Sequence, residues 1–221
     1  MEKKYGLLLD FDGVVVDSEP LYEKAMMIQF DKYGIDVQPE DWLFFKGKDA
    51  KSVFEYINEK YYSHMDVDKV KEDYRIDLLE EFKKNMGYVP GFLDFYYACI
   101  NDEFSDLLVT STGRDIMEWT FKNVPVDYIF SGMITAFEVQ NTKPHPEPYL
   151  KAAQQIGIPI ERCVVIEDSV NGIRSGKAAG AKVIGIATTF PRDIISEADL
   201  IIDSYDEINP KVLKKLIHEE V

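Results

Sequence analysis

Five short aliphatic runs recur along this chain, and segments of helical pattern separate them. Each run is brief and mostly lacks polar alternation, as expected of a strand buried on both faces of a parallel sheet. Strands of this kind that alternate with helices predict an α/β fold with a doubly wound, Rossmann-like parallel sheet. The predicted strands cover residues 7–9, 107–109, 164–166, 183–186 and 200–202.

One long segment, 17–86, breaks this alternation. It contains no buried-strand run, and its apolar and aromatic residues recur at helical spacing. We therefore predict two domains: an α/β core formed by 1–16 and 87–221, and an α-helical domain, 17–86, inserted after the first strand. Helices are predicted over 91–100, 115–122, 147–156, 169–179 and 211–220 in the core, and over 20–33, 50–62 and 67–86 in the insertion.

Composition restricts the partners of the chain. The net charge of −15 over 221 residues disfavours a nucleic-acid partner, which requires a basic patch. No apolar run approaches the roughly 20 residues that span a bilayer, so no membrane partner is expected. The stretch 6–9 is too short for the apolar part of a signal peptide, so we expect a cytoplasmic protein. We also expect a monomer or weak dimer.

The two cysteines, Cys99 and Cys163, lie in apolar surroundings and lack the spacing of metal ligands. A disulfide between them stays open from the sequence. Two buried thiols are favoured, because a reducing compartment keeps cysteines reduced.

Two aspartates follow the first predicted strand, in the order Asp10-Phe11-Asp12-Gly13. Residues two apart on a strand share a face, so the Asp10 and Asp12 carboxylates should converge. A bound divalent cation would relieve their mutual repulsion, and Gly13 permits a sharp turn. An ordinary surface turn is the alternative, since Asp and Gly are common there.

Glu167 and Asp168 form a second acidic pair, directly after strand 164–166. Beside Asp10 they would supply the oxygen ligands that Mg²⁺ prefers. The alternative is that Asp168 or Ser169 merely caps the next helix, and both interpretations can hold together.

Phosphate binding is indicated at two further loops. After strand 107–109, Thr110 and Ser111 offer hydroxyl and backbone N–H groups that can hold a phosphate, although an ordinary capping loop has the same composition. An acidic protein needs local positive charge to hold an anion, and Lys143, in front of Pro144, could provide it. Alone, such a lysine is usually just solvated. We interpret His145 as structural.

These four features follow strand ends, which face one crevice in a doubly wound sheet. Together they resemble the haloacid dehalogenase-like (HAD) hydrolase superfamily. The place of the insertion resembles the helical-cap subgroup, which includes phosphoglycolate phosphatase and β-phosphoglucomutase-like proteins. The matching pieces are 10–19 (DFDGVVVDSE), Thr110, Lys143-Pro144, Glu167-Asp168-Ser169 and Asn171-Gly172-Ile173.

The resemblance implies a phosphohydrolase in which Asp10 attacks phosphorus and becomes an aspartyl phosphate. Asp12 would act as general acid and then as general base, and its backbone carbonyl would contact Mg²⁺. Lys143 would neutralise charge on the nucleophile and the phosphate.

The same resemblance implies that the Thr110 hydroxyl and the Ser111 amide hold phosphate oxygens. Asp168 would be a metal ligand, and Glu167 would bind the metal directly or through water. Asp12 argues against C–halogen chemistry, because dehalogenases of the family lack the second aspartate.

The expected activity is Mg²⁺-dependent hydrolysis of a small phosphorylated metabolite, a sugar phosphate or similar. A β-phosphoglucomutase-type reaction is the alternative, but mutases typically have histidine where this chain has Tyr22. A non-catalytic binding or regulatory protein is a remote alternative, disfavoured because Asp10 and Asp12 are both present. Tyr22, Lys46 and Lys48 of the insertion, interpreted as a cap domain, are candidate substrate contacts, although the loop with Gly47 could be a solvated turn.

Overall fold

The computed structural model describes residues 2–46, 48 and 50–218. The chain forms two compact units, one made of 1–17 with 87–221 and the other of 18–86. In the first unit, the two segments at the boundary run side by side. Val16 pairs antiparallel with Tyr88, and the Asp17 amide donates to the Gly87 carbonyl at 3.0 Å. The chain therefore leaves and re-enters this unit at one place.

The 18–86 unit is helical, with an aromatic core that includes Phe30, Phe45 and Phe54. Its longer helices agree closely with the predicted ones. One short helix was not predicted, because seven residues show too little periodicity. The helices are α1 (Glu19–Lys32), α2 (Pro39–Phe45), α3 (Ala50–Tyr61) and α4 (Val67–Asn85).

Asp41 ties α2 to α3 within this unit. Its fully buried carboxylate accepts hydrogen bonds from Tyr56 at 2.7 Å, from Tyr61 at 2.5 Å and from Lys60 at 2.5 Å. Burial alone would raise the pKa of Asp41, but these donors and the Gln38 amide hold it well below its usual range. The charge is thus fully paired, and it fixes the geometry of the short helix.

A six-stranded parallel sheet forms the centre of the other unit. The chain moves outward from the first strand in one direction and then returns to build the other half, as in a doubly wound sheet, so the predicted fold class is confirmed. The order across the sheet is β3-β2-β1-β4-β5-β6, with β1 (Tyr5–Leu9), β2 (Phe104–Val109), β3 (Met133–Ile134), β4 (Cys163–Glu167), β5 (Lys182–Ile186) and β6 (Leu200–Ile202).

Helices cover the sheet and bury its aliphatic strands; Leu7, Leu8 and Leu9 have no exposed surface. Cys99 and Cys163 are both free and buried, as favoured from the sequence. None of the helices in the described residues is long and apolar enough to cross a membrane. The helices of this unit are α5 (Phe92–Ile100), α6 (Arg114–Asn123), α7 (Glu147–Ile156), α8 (Val170–Ala179) and α9 (Pro210–His218), and Glu220, the predicted end of the last, lies outside the described residues.

Candidate active site

Asp10 lies directly after β1, where the central strand reaches the carboxyl edge of the sheet. Its backbone amide donates to the Ile166 carbonyl of β4 at 3.1 Å, which anchors the residue to the neighbouring strand. The chain then turns tightly at Gly13, whose φ of +69° favours glycine. A Cβ atom at this position would also collide with the Asp168 carboxylate. The turn therefore brings the 10–13 loop against the end of β4.

Lys143 connects three strand ends through one ammonium group. Its Nζ donates to Asp10 Oδ1 at 2.6 Å, to Glu167 Oε1 at 2.5 Å and to the Val109 carbonyl at 2.9 Å. Only 6% of the Lys143 side chain is exposed. All three ammonium protons are thus satisfied in a nearly dry environment, unlike those of an ordinary solvated lysine.

Charge is concentrated at this point. Burial is the largest cause that raises the pKa of Asp10 to about 7; Lys143 opposes this rise, whereas Glu167 and Asp12 add to it. Burial alone would lower the pKa of Lys143, but the Asp10 and Glu167 carboxylates hold it above its ordinary value. The lysine stays charged, and the surrounding carboxylates outnumber it.

Three carboxylates at this edge could hold a metal ion. Asp10, Glu167 and Asp168 each offer an oxygen, and these oxygens lie within 4.8 Å of one another. An all-oxygen donor set that carries excess negative charge fits Mg²⁺. The residues present therefore suit the expected cofactor.

Glu167 occupies a closely fitted site at the end of β4. Its carboxylate has no exposed surface and accepts hydrogen bonds from Tyr149 at 2.7 Å and from Ser169 Oγ at 3.0 Å, besides the ion pair with Lys143. Gly172 of α8 lies against this carboxylate, and a Cβ atom there would overlap it. A side chain at position 172 would therefore have to displace the buried Glu167 carboxylate.

The 110–113 loop follows β2 at the same edge. The Thr110 amide donates to the Ile134 carbonyl of β3 at 2.9 Å, and Thr110 Oγ1 accepts from the Thr112 amide at 3.0 Å. Thr110 is buried and Ser111 is exposed. Their contact with phosphate stays a prediction.

Comparison with known proteins identifies the family. A family model of the haloacid dehalogenase-like hydrolases matches residues 7–186. The chain belongs to this family. A solved HAD hydrolase, family IA, variant 3, from Entamoeba histolytica HM-1:IMSS shows the same fold, with a TM-score of 0.80 at 24% identity over 99% of this chain and 100% of that chain. The resemblance stated from the motifs is thus confirmed.

Relatives of this HAD-like hydrolase include named phosphatases. Glycerol-1-phosphate phosphohydrolase 1 of Saccharomyces cerevisiae is 46% identical over 221 residues, covering 91% of this chain and 82% of that protein. Hexitol phosphatase A of Escherichia coli is 29% identical over 207 residues, covering 92% of each. These named phosphatases confirm the expectation that the chain is a phosphohydrolase.

Another relative is much longer than this HAD-like chain. Protein SUPPRESSOR OF QUENCHING 1, chloroplastic, of Arabidopsis thaliana is 29% identical over 201 residues. The match covers 89% of this chain but only 19% of that protein. The similarity is therefore to one part of that protein.

Two threonines after β5 contact the HAD motifs and were not predicted from the sequence. Thr188 Oγ1 donates to the Gly13 carbonyl at 2.6 Å, and the buried Thr189 hydroxyl is hydrogen-bonded to Asp168 Oδ2. They could have been found from their position, because they follow a buried strand as the other site residues do. Tyr149, in contrast, lies inside a helix and has no such signal.

His145 has a structural role, as expected. Its Nδ1 accepts from the Glu147 amide at 3.2 Å, and its carbonyl accepts from Ser175 Oγ at 2.6 Å. These contacts connect the loop that carries Lys143 to α7 and α8.

The candidate substrate contacts Tyr22, Lys46 and Lys48 all belong to the 18–86 unit. The half-buried Tyr22 ring packs edge-on against Phe82, with centroids 5.4 Å apart. The exposed Lys48 ammonium lies 4.5 Å from the centre of the Phe44 ring. Gly47, between the two lysines, lies outside the described residues. Contact of these residues with substrate stays a prediction.

Proposed function

We propose that this chain is a Mg²⁺-dependent phosphatase of small polyol or sugar phosphates that acts through an aspartyl phosphate on Asp10. The observation that carries the proposal is the buried Lys143 ammonium, held between Asp10 and Glu167 at 2.6 Å and 2.5 Å. A charged lysine against a carboxylate at the end of the central strand is the arrangement that a carboxylate nucleophile needs to receive a dianionic phosphoryl group.

In the first step, a carboxylate oxygen of Asp10 attacks phosphorus and the bond to the leaving oxygen breaks. Asp12 donates its proton to that oxygen, so the alcohol leaves neutral. Lys143 offsets negative charge on the phosphoryl oxygens, which carry most of it in the transition state. Mg²⁺, held by Asp10, Glu167 and Asp168, would supply further charge neutralisation when bound.

In the second step, water attacks the phosphorus of the aspartyl phosphate. Asp12, now a carboxylate, accepts a proton from this water, and the P–O bond to Asp10 breaks. Inorganic phosphate leaves, and both aspartates return to their starting protonation states. One difficult displacement is thereby divided into two easier ones.

Polyol phosphates are the proposed substrate class because of the named relatives. The yeast relative with 46% identity is a glycerol-1-phosphate phosphohydrolase, and a bacterial relative is a hexitol phosphatase. Glycerol and hexitol phosphates share a flexible chain of hydroxyl groups. The residues proposed for the chemistry would contact only the phosphate and the leaving oxygen, so recognition of the rest of the polyol would require other contacts.

A phosphate-release panel in Mg²⁺ tests this proposal. We expect kcat/KM for glycerol 1-phosphate or a hexitol phosphate to exceed that for phosphoglycolate and pyrophosphate by at least about tenfold, which corresponds to about 1.4 kcal/mol of transition-state binding. Absence of phosphate release from every member would contradict the proposal. Efficient isomerisation of β-glucose 1-phosphate on addition of glucose 1,6-bisphosphate would instead support the mutase alternative.

We further propose that the 18–86 unit is a cap that selects the substrate. The phosphate chemistry is assigned to the other unit, and the chain enters and leaves 18–86 next to the loop of Asp10 and Asp12. Hinges near 16–17 and 87–88 would allow the cap to open and close over the site, as lids do in many enzymes.

Cap variants measured on the same panel test this role. Lys46→Ala with Lys48→Ala, and separately Tyr22→Phe, should change the ranking of substrates by kcat/KM, because the cap would contact their organic part. Lys51→Ala with Lys69→Ala is the matched control: it removes the same charge from exposed positions of the same unit. An unchanged ranking in both test variants would reject these residues as the specificity set, since surface substitutions have effects within about 0.5 kcal/mol.

A further inference from the structure

Tyr149 is a fully buried tyrosine on α7 that contacts both Lys143 and Glu167, which form an ion pair with each other. Its hydroxyl donates to Glu167 Oε1 at 2.7 Å, the same oxygen that Lys143 contacts. Its ring centre lies 5.2 Å from Lys143 Nζ, within the range of a cation–π contact. We propose that Tyr149 is a positioning residue that holds Glu167 and Lys143 in the geometry needed for phosphoryl transfer.

The hydroxyl fixes the Glu167 carboxylate from one side. Ser169 Oγ donates to the other oxygen, Oε2, at 3.0 Å, and Gly172 leaves no space behind the group. With both oxygens engaged, the carboxylate is held in one rotamer. Hydrogen bonds to a carboxylate are strong in a site of low dielectric constant, so loss of one of these donors should loosen that rotamer.

Lys143 depends on this rotamer because its own position is defined by its acceptors. Two of them, Asp10 and the Val109 carbonyl, belong to the reacting edge, and Glu167 is the third. A shift of Glu167 would therefore displace the ammonium from its contact with the nucleophile Asp10. A misplacement of about 1 Å can cost about 10²-fold in rate, so a residue that touches no substrate can still control turnover.

The alternative is that Tyr149 is a core residue with no effect on turnover, and the chain offers a matched control for this alternative. Tyr96 of α5 is also buried, and its hydroxyl lies 3.1 Å from a buried carboxylate oxygen, Asp106 Oδ2, and 2.8 Å from the Ile129 carbonyl, so two acceptors share its one proton. Asp106 also accepts hydrogen bonds from Ser131, and among the described residues no hydrogen bond joins it to Asp10, Lys143 or Glu167. Tyr149→Phe and Tyr96→Phe therefore each remove a buried tyrosine hydroxyl that contacts a carboxylate, at two different places in the same unit.

The experiment compares these two variants in melting temperature, kcat and KM, with glycerol 1-phosphate and para-nitrophenyl phosphate as substrates. Phenylalanine fills nearly the same volume, so both variants should fold, with melting temperatures lowered by a few degrees. We expect Tyr149→Phe alone to lower kcat by about 10- to 100-fold while KM changes little, because charge stabilisation is lost mainly in the transition state.

A second readout does not depend on turnover. Beryllofluoride, a mimic of the phosphoryl group, should raise the melting temperature of the wild type and of Tyr96→Phe, and raise that of Tyr149→Phe by less. The positioning role would be overturned if the kcat of Tyr149→Phe stayed within twofold of the wild-type value. It would also be overturned if kcat fell by the same factor in Tyr149→Phe and Tyr96→Phe. The inference rests on the proposed phosphatase activity, which the wild-type enzyme tests separately: an inactive wild type would reject that activity, not the role of Tyr149.

Discussion

Asp10→Asn is expected to reduce turnover by about 10⁴-fold or more, to the background rate. The amide has nearly the same shape as the carboxylate but cannot attack phosphorus. Lys143 would retain Glu167 and the Val109 carbonyl as acceptors, so the site should remain assembled. Phosphate release from the best substrate of the panel measures the effect.

Two further variants make this result specific. Asp12→Asn should lose the acid–base contribution, about 10²- to 10⁴-fold, and so retain more activity than Asp10→Asn. Asp193→Asn, at an exposed position, should behave as wild type. Near-normal turnover in the Asp10→Asn protein would show that another group is the nucleophile.

Removal of Mg²⁺ is expected to have an effect of similar size. Without a divalent cation, Lys143 is the only cation that the structure places in contact with Asp10 and Glu167 among the described residues, and the incoming phosphate adds further negative charge. Phosphate release should fall to background after treatment with EDTA and return when excess Mg²⁺ is added. Full activity in metal-free buffer would contradict the proposed role of the carboxylates.

Thr189→Val refines the metal experiment. The valine keeps the shape but removes the hydroxyl that is hydrogen-bonded to Asp168. Groups that orient a metal ligand typically contribute about 10- to 100-fold in metal affinity, so the Mg²⁺ concentration for half-maximal activity should rise by that factor. Maximal activity at saturating Mg²⁺ should change less. If the Mg²⁺ concentration for half-maximal activity were unchanged, Asp168 would not need this hydroxyl to bind metal.

Much of the fold could be predicted because its strands are buried on both faces. Such strands appear as uninterrupted aliphatic runs, and five of the six were located in this way. The sixth, β3, has only two residues and therefore no detectable pattern. The seven-residue helix α2 is absent from the prediction for the same reason, because so short a helix shows little periodicity.

The candidate site could be located because its residues follow the strands. Asp10, Thr110, Glu167 and Asp168 stand directly after aliphatic runs or at their ends, where a parallel sheet gathers them at one edge. The contacts that orient them could not be predicted. A tyrosine within an amphipathic helix, such as Tyr149, gives no indication of which buried acceptor its hydroxyl will reach.

Phosphorylation of Asp10 during turnover can be measured directly by acid quench with radiolabelled para-nitrophenyl phosphate. The Asp12→Asn variant is the enzyme of choice, because this leaving group departs without a proton whereas hydrolysis of the aspartyl phosphate still needs a general base. The proposed mechanism predicts that label accumulates, close to one per molecule, in the peptide that contains Asp10. Nitrophenol release with no label on the protein, or label on a different residue, would contradict it.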